Sequence, residues 1–238
     1  MFKFALFLVV AFCAVQGFET RTVQIDDRSL EDVINAIKDI IQKVKDIIAN
    51  IASQIPEIIQ NIRDKINEII ENIDLPGIIA KIKEEIEKII ALGEAGKKCV
   101  EAEREQIEGL IQNAQAGGEA CISTAVNEIA AADKHLAALM AKANEVREDI
   151  SGRVVQCIED SKLNPIALFN CLKDQVEPIS AELENLQALI QTTIANVTEI
   201  AQQMTANLAS CLEKVRDDTV AKTDEIISSI KECVAGSA

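Results

Sequence analysis

The sequence predicts an all-α protein, a long antiparallel helical hairpin or bundle stapled by nested disulfides and preceded by an Ile-rich amphipathic helical region. Three observations predict it. Apolar residues recur at the α-helical period early in the chain. Six cysteines further on fall symmetrically about one point, and no stretch shows the sustained alternation that marks a half-buried strand.

Met1 to Gly17 has the form of a secretory signal. One positive charge at Lys3 precedes an unbroken apolar run from Phe4 to Val15, and small residues follow it. Cleavage is expected after Gly17, so that the mature chain begins at Phe18 and is secreted to the extracellular space. The apolar run is too short to span hydrocarbon, and no transmembrane insertion is expected elsewhere. Removing the signal also removes Cys13 and leaves six cysteines, an even set that in an oxidising compartment reads as a disulfide framework. The mature chain carries 23 basic and 39 acidic residues, a net charge of −16. Such a surface repels phosphate backbones, which argues against a nucleic-acid partner.

Residues 18–92 form the first expected region and 93–238 the second. From Leu30 to Leu92 there are 21 Ile in 63 residues, with no cysteine and no aromatic residue. Apolar positions there step through Ile37, Ile41, Val44, Ile48, Ile51, Ile55, Ile58, Ile62, Ile66, Ile69 and Ile73, ten steps over 36 residues. That mean is the helical period, and Ile40, Ile47, Ile59 and Ile70 widen the stripe into a face that must be buried. Ser29 is the expected N-cap. Pro56 and the pair Pro76–Gly77 are expected to kink or interrupt the run, giving helices near 29–55, 56–74 and 77–92, and Gly93 to stop it. Two uses of the stripe stay open. It can pack within the chain, the expected outcome, or it can self-associate, because the steps from Ile37 to Ile62 alternate between four and three as in a coiled coil.

The second region is organised by its cysteines. Cys99, Cys121, Cys157, Cys171, Cys211 and Cys233 pair from the outside inwards with position sums of 332, 332 and 328. A constant sum is the signature of residues facing each other across two antiparallel helices. At about 1.5 Å per residue the two arms come to roughly 87 and 93 Å, and at about 100° per residue the three cysteines of each arm stay on one side of it. Asn164 and Pro165, at the midpoint, are a favoured N-cap and first helical residue, so the return helix is expected to start at Pro165. The predicted bridges are therefore Cys99–Cys233, Cys121–Cys211 and Cys157–Cys171. Gly117, Gly118, Gly152 and Pro178 are expected to bend the arms, with a possible break near Gly117.

The order and spacing of these cysteines, together with Phe169, Asn170 and Cys171 ahead of a long Ala- and Leu-rich helix, resemble the TsetseEP domain family of secreted insect proteins. The resemblance covers about 93–234 and implies an extracellular insect protein. It brings no catalytic residues with it.

No catalytic, cofactor or metal site is predicted. His135 is the single histidine and lacks a partner for a mixed metal site. Carboxylate pairs such as Glu84–Glu85, Glu148–Asp149 and Asp217–Asp218 lie among lysines and arginines, as on a solvated helix face. Asn196, with Val197 and Thr198, forms an N-glycosylation sequon. The expected function is a secreted, non-enzymatic structural or interaction protein, with a second copy met through the Ile-rich helices, or another extracellular protein, as candidate partners. The alternative is an extracellular carrier whose Ile faces open around lipid or another small apolar ligand, or coat an interface.

Overall fold

The computed structural model describes residues 30–162 and 164–237. The expected signal segment Met1–Gly17, its cleavage point and the Ser29 cap lie outside the described residues. Among the described residues there are five helices and no strand: α1 (Leu30–Ile73), α2 (Leu75–Ile90), α3 (Glu94–Ala102), α4 (Arg104–Asp160) and α5 (Pro165–Gly236). None is long and apolar enough to cross a membrane.

α1 keeps its helix through Pro56, where a kink or an interruption was expected. Pro56 is exposed, so the carbonyl it leaves without a donor lies towards solvent, while buried Ile51, Ile59 and Ile62 hold the helix on both sides. The run does break beside the other expected interruption, Pro76–Gly77, at Asp74, whose φ of 48° and ψ of 50° are left-handed. The Asp74 carboxylate then accepts a hydrogen bond of 3.0 Å from the Gly77 backbone N–H, capping α2, and Pro76 sits in the first turn where its missing donor costs nothing. Gly93, with φ of 110°, separates α2 from α3 as a residue without a Cβ can.

α4 is continuous through Gly117, Gly118 and Gly152, so the expected break near Gly117 does not occur. Two of these glycines serve close approach instead. A Cβ on Gly117 would lie 3.0 Å from Val215 Cγ2, and one on Gly118 would lie 2.9 Å from Leu75 Cδ1. The hairpin turn falls where the cysteine sums place it. Asn164 Oδ1 accepts from the N–H groups of Ile166 and Ala167 at 3.0 and 3.3 Å, and α5 begins at Pro165. Pro178 lies inside α5 on its exposed side, again without ending the helix.

The described residues form two compact units, one combining residues up to Gln60 with Ala131–Ile200 and the other Asn61–Ala130 with Ala201 onward. α1, α4 and α5 each contribute to both. In the first unit, Val33, Ile37, Ile40 and Val44 of α1 share a core with Leu139 and Ile150 of α4 and with Val176, Ile179 and Ile190 of α5. In the second, Ile82 and Ile89 of α2 pack with Val100 of α3, Ile107 and Leu110 of α4 and Ile226 and Ile230 of α5. Each such aliphatic side chain stabilises the fold by about 1.5–3 kcal/mol when removed from water. The compositional boundary at Gly93 is a helix boundary, and both units draw residues from either side of it. Of the Ile stripe, Ile37, Val44, Ile51, Ile62, Ile66 and Ile73 are buried within the chain, while Ile41, Ile48, Ile55, Ile58 and Ile69 are half-buried.

Candidate functional site

The covalent framework is the first feature built from residues whose positions the sequence singled out. Cys157 and Cys171 are bridged in the first unit, and Cys121–Cys211 and Cys99–Cys233 in the second. Their Cα separations of 5.6, 5.9 and 5.8 Å are those at which two helices accept a disulfide without displacement. Non-covalent links keep the same antiparallel order. Ser229 Oγ donates to Glu103 Oε1 at 3.0 Å, and Arg153 of α4 pairs with Glu182 of α5. Each disulfide joins an inward cysteine to a more exposed one: Cys99 and Cys121 are buried, whereas Cys233 and Cys211 are exposed.

The titratable groups singled out in the sequence lie along helix faces, mostly in ion pairs. His135 is exposed on α4. Glu84 and Glu85 both pair with Lys88, at 3.0 and 2.9 Å, along the outer face of α2. The hydrogen bond from Lys88 holds the Glu85 carboxyl below the usual carboxylate range, and Glu85 followed by Glu84 holds Lys88 above the usual lysine range. Asp217 pairs with Arg216 in the same exposed manner. Asp149 accepts from Arg153 at 2.7 Å, and Glu182 joins them from α5. The buried hydroxyls of Thr219 and Thr223 donate to the carbonyls of Val215 and Thr219 at 2.6 and 2.7 Å, so both are satisfied along α5. Among the described residues no group of three His, Cys, Asp or Glu side chains is placed to hold a metal ion.

Asn196 lies exposed on α5, flanked by buried Val197. The hydroxyl of Thr198, the third sequon residue, donates to the Ile194 carbonyl at 2.8 Å. The acceptor amide therefore faces outward while its sequon partner is turned onto the helix.

A predominantly apolar groove among the described residues was not expected from the sequence. In the second unit an open groove of about 410 Å³ lies where α1 gives way to α2. Ile73, Leu75 and Ile79 line it together with Ala114 and Ile122 of α4 and Leu212 of α5. The left-handed Asp74 stops one row of Ile side chains and starts another, while α4 presents Ala114 and Gly118, four residues apart and on one face. Small residues opposite a helix junction leave volume that Ile fills elsewhere. Gly118 carries the available signal, but Gly117–Gly118 reads in sequence as a bend, because its close approach to Leu75 joins residues far apart in the chain. Lys83 and Glu119 are the charged residues of the lining, with Gln115 beside them.

A family profile described as protein of unknown function, DUF725, matches residues 95–217, just over half of the chain. That span holds five of the six bridged cysteines, all but Cys233. Neither a curated protein nor a solved structure matches the chain.

Proposed function

Because the chain belongs to the family of proteins of unknown function designated DUF725, whose description carries no activity, we propose from its own build that it acts outside the cell as a covalently braced, non-enzymatic helical scaffold that binds another extracellular protein. The observation that carries this reading is the set of three nested bridges, which suits an oxidising compartment and a role in which the folded surface must persist. The apolar segment Met1–Gly17 supplies the export signal, and the six-cysteine pattern with Phe169–Asn170–Cys171 supports placement among secreted insect proteins of the TsetseEP type. The scaffold is expected to be monomeric, since much of its Ile stripe is already used within the chain.

The test is expression of the full chain in a secretory insect cell. The protein recovered from the medium should begin at Phe18, carry the three bridges, and sediment as a monomer. Retention of the uncleaved chain inside the cell, or recovery from the medium with free thiols, would overturn the extracellular scaffold. The carrier that opens its Ile faces would first have to expose side chains such as Val33, Val44 and Ile62, each at most 2 % accessible, which is costly for a cross-linked fold.

A further inference from the structure

We propose that the groove between the α1–α2 junction and α4 binds one molecule of a single-chain fatty acid, with its hydrocarbon tail against Ile73, Ile79 and Ile122 and its carboxylate on the Lys83 ammonium. This site goes beyond the scaffold role and stands or falls separately from it.

Three observations on the groove select that ligand class. Its volume, about 410 Å³, lies in the range of small-molecule sites, and its lining is overwhelmingly aliphatic. It contains no aromatic side chain, so a planar ring would find nothing to stack on, whereas a flexible alkyl chain can follow Ile, Leu and Ala walls. Its polar groups are few: the Lys83 ammonium, the Gln115 amide and the Glu119 carboxylate.

Charge complementarity then fixes the head group. Lys88, Lys97 and Lys65 are each paired with a glutamate one helical turn away, but Lys83 makes no ion pair among the described residues. In a chain of net charge −15, a lysine left over at the mouth of an apolar groove is the group an incoming carboxylate can use. Glu119, the one acidic residue of the lining, opposes an anion and so places the head on the α2 side. Binding here does not require the core to open, in contrast to a carrier built on the Ile stripe.

The experiment titrates the full, oxidised chain with sodium dodecanoate below its micellar range, read by calorimetry and by the carboxyl resonance of ¹³C-labelled dodecanoate, with dodecan-1-ol as the neutral control. Wild type should bind one dodecanoate per chain. Lys83→Gln should weaken dodecanoate about tenfold or more, the scale of a lost charge-assisted hydrogen bond, and leave dodecanol unchanged. Glu119→Gln should tighten dodecanoate. Gly118→Leu should abolish binding by filling the groove, but its Cβ also meets Leu75. Ala80→Trp, at an exposed lining position on α2, plugs the groove without that contact and keeps the test decisive. Unchanged dodecanoate affinity in Ala80→Trp, equal affinity for dodecanol and dodecanoate, or no saturable binding to wild type would each overturn the proposal.

Discussion

Nested bridges make a quantitative prediction that independent bridges do not. The Cys99–Cys233 and Cys121–Cys211 bridges close separations of 134 and 90 residues, and Cys157–Cys171 closes 14. Taken alone, a loop of 134 or 90 residues restricts the unfolded chain by about 5 or 4.6 kcal/mol. With its inner neighbour in place, however, the outer bridge closes only the difference between the first two separations, 44 residues, and its loss costs about 4.0 kcal/mol. Removing the middle bridge while the outer remains merges a 44-residue loop with a 76-residue one, so the cost falls to about 3.6 kcal/mol. Once the outer bridge is gone, removing the middle one costs the full worth of the 76-residue loop, about 4.5 kcal/mol. The double removal therefore exceeds the two single removals combined by about 1 kcal/mol. Urea denaturation of Cys99→Ala/Cys233→Ala, of Cys121→Ala/Cys211→Ala and of the quadruple variant forms the cycle. A coupling near zero, or of opposite sign, would refute the shared-loop reasoning and imply that the unfolded chain already restricts itself.

Gly109→Ala should stabilise the protein by about 0.5–1 kcal/mol, because a Cβ there meets nothing within 4 Å, whereas Gly117→Ala should lose that gain against the stiff Val215 side chain; thermal melts of the pair decide it. Ile179→Ala, at a fully buried position of the first unit's core, should cost about 2–5 kcal/mol in urea denaturation. Secreted protein treated with an N-glycosidase should drop in apparent mass, and Asn196→Gln should abolish that drop, since Asn196 is exposed and the sequon is read before the chain folds.

Sequence alone went furthest where the information is periodic. The 3.6-residue spacing of Ile gives the helices, and the constant cysteine sums give both the direction of α5 relative to α4 and the turn at Asn164–Pro165. It misplaced events that depend on what a residue meets. Helices near 29–55 and 56–74 were expected to part at Pro56, which removes a backbone donor, yet Pro56 is exposed and sits between buried Ile51 and Ile59, and the helix runs on. Gly117 and Gly118 looked like weak points, but their role is spacing against Val215 and Leu75, which lie nearly 100 and more than 40 residues away. The groove was missed for the same reason. A cavity is the shortfall between side chains of several helices, and no local pattern records it.

The division of labour between the two halves of the chain explains why the cross-links sit where they do. α4 intersperses buried Ala114, Ala125, Ala132 and Ala143 among Ile107, Leu110, Ile129, Leu136, Leu139 and Ile150, so it buries less apolar area per turn than the α1 face, whose buried positions are all Ile or Val. A hairpin of α4 and α5 alone would depend on that thin interface. Two additions correct it: the Ile helices fill the inner side, and the bridges hold the arms in register independently of packing. Where an alanine-rich stretch of α4 passes the break between α1 and α2, neither correction fills the space completely, and the groove is what remains. Lengthening α4 side chains there should therefore trade groove volume for stability, so that Ala114→Val raises the urea midpoint as it reduces dodecanoate binding. A variant that fills the groove with no change in stability would show that this volume is not a packing shortfall but solvent-facing surface.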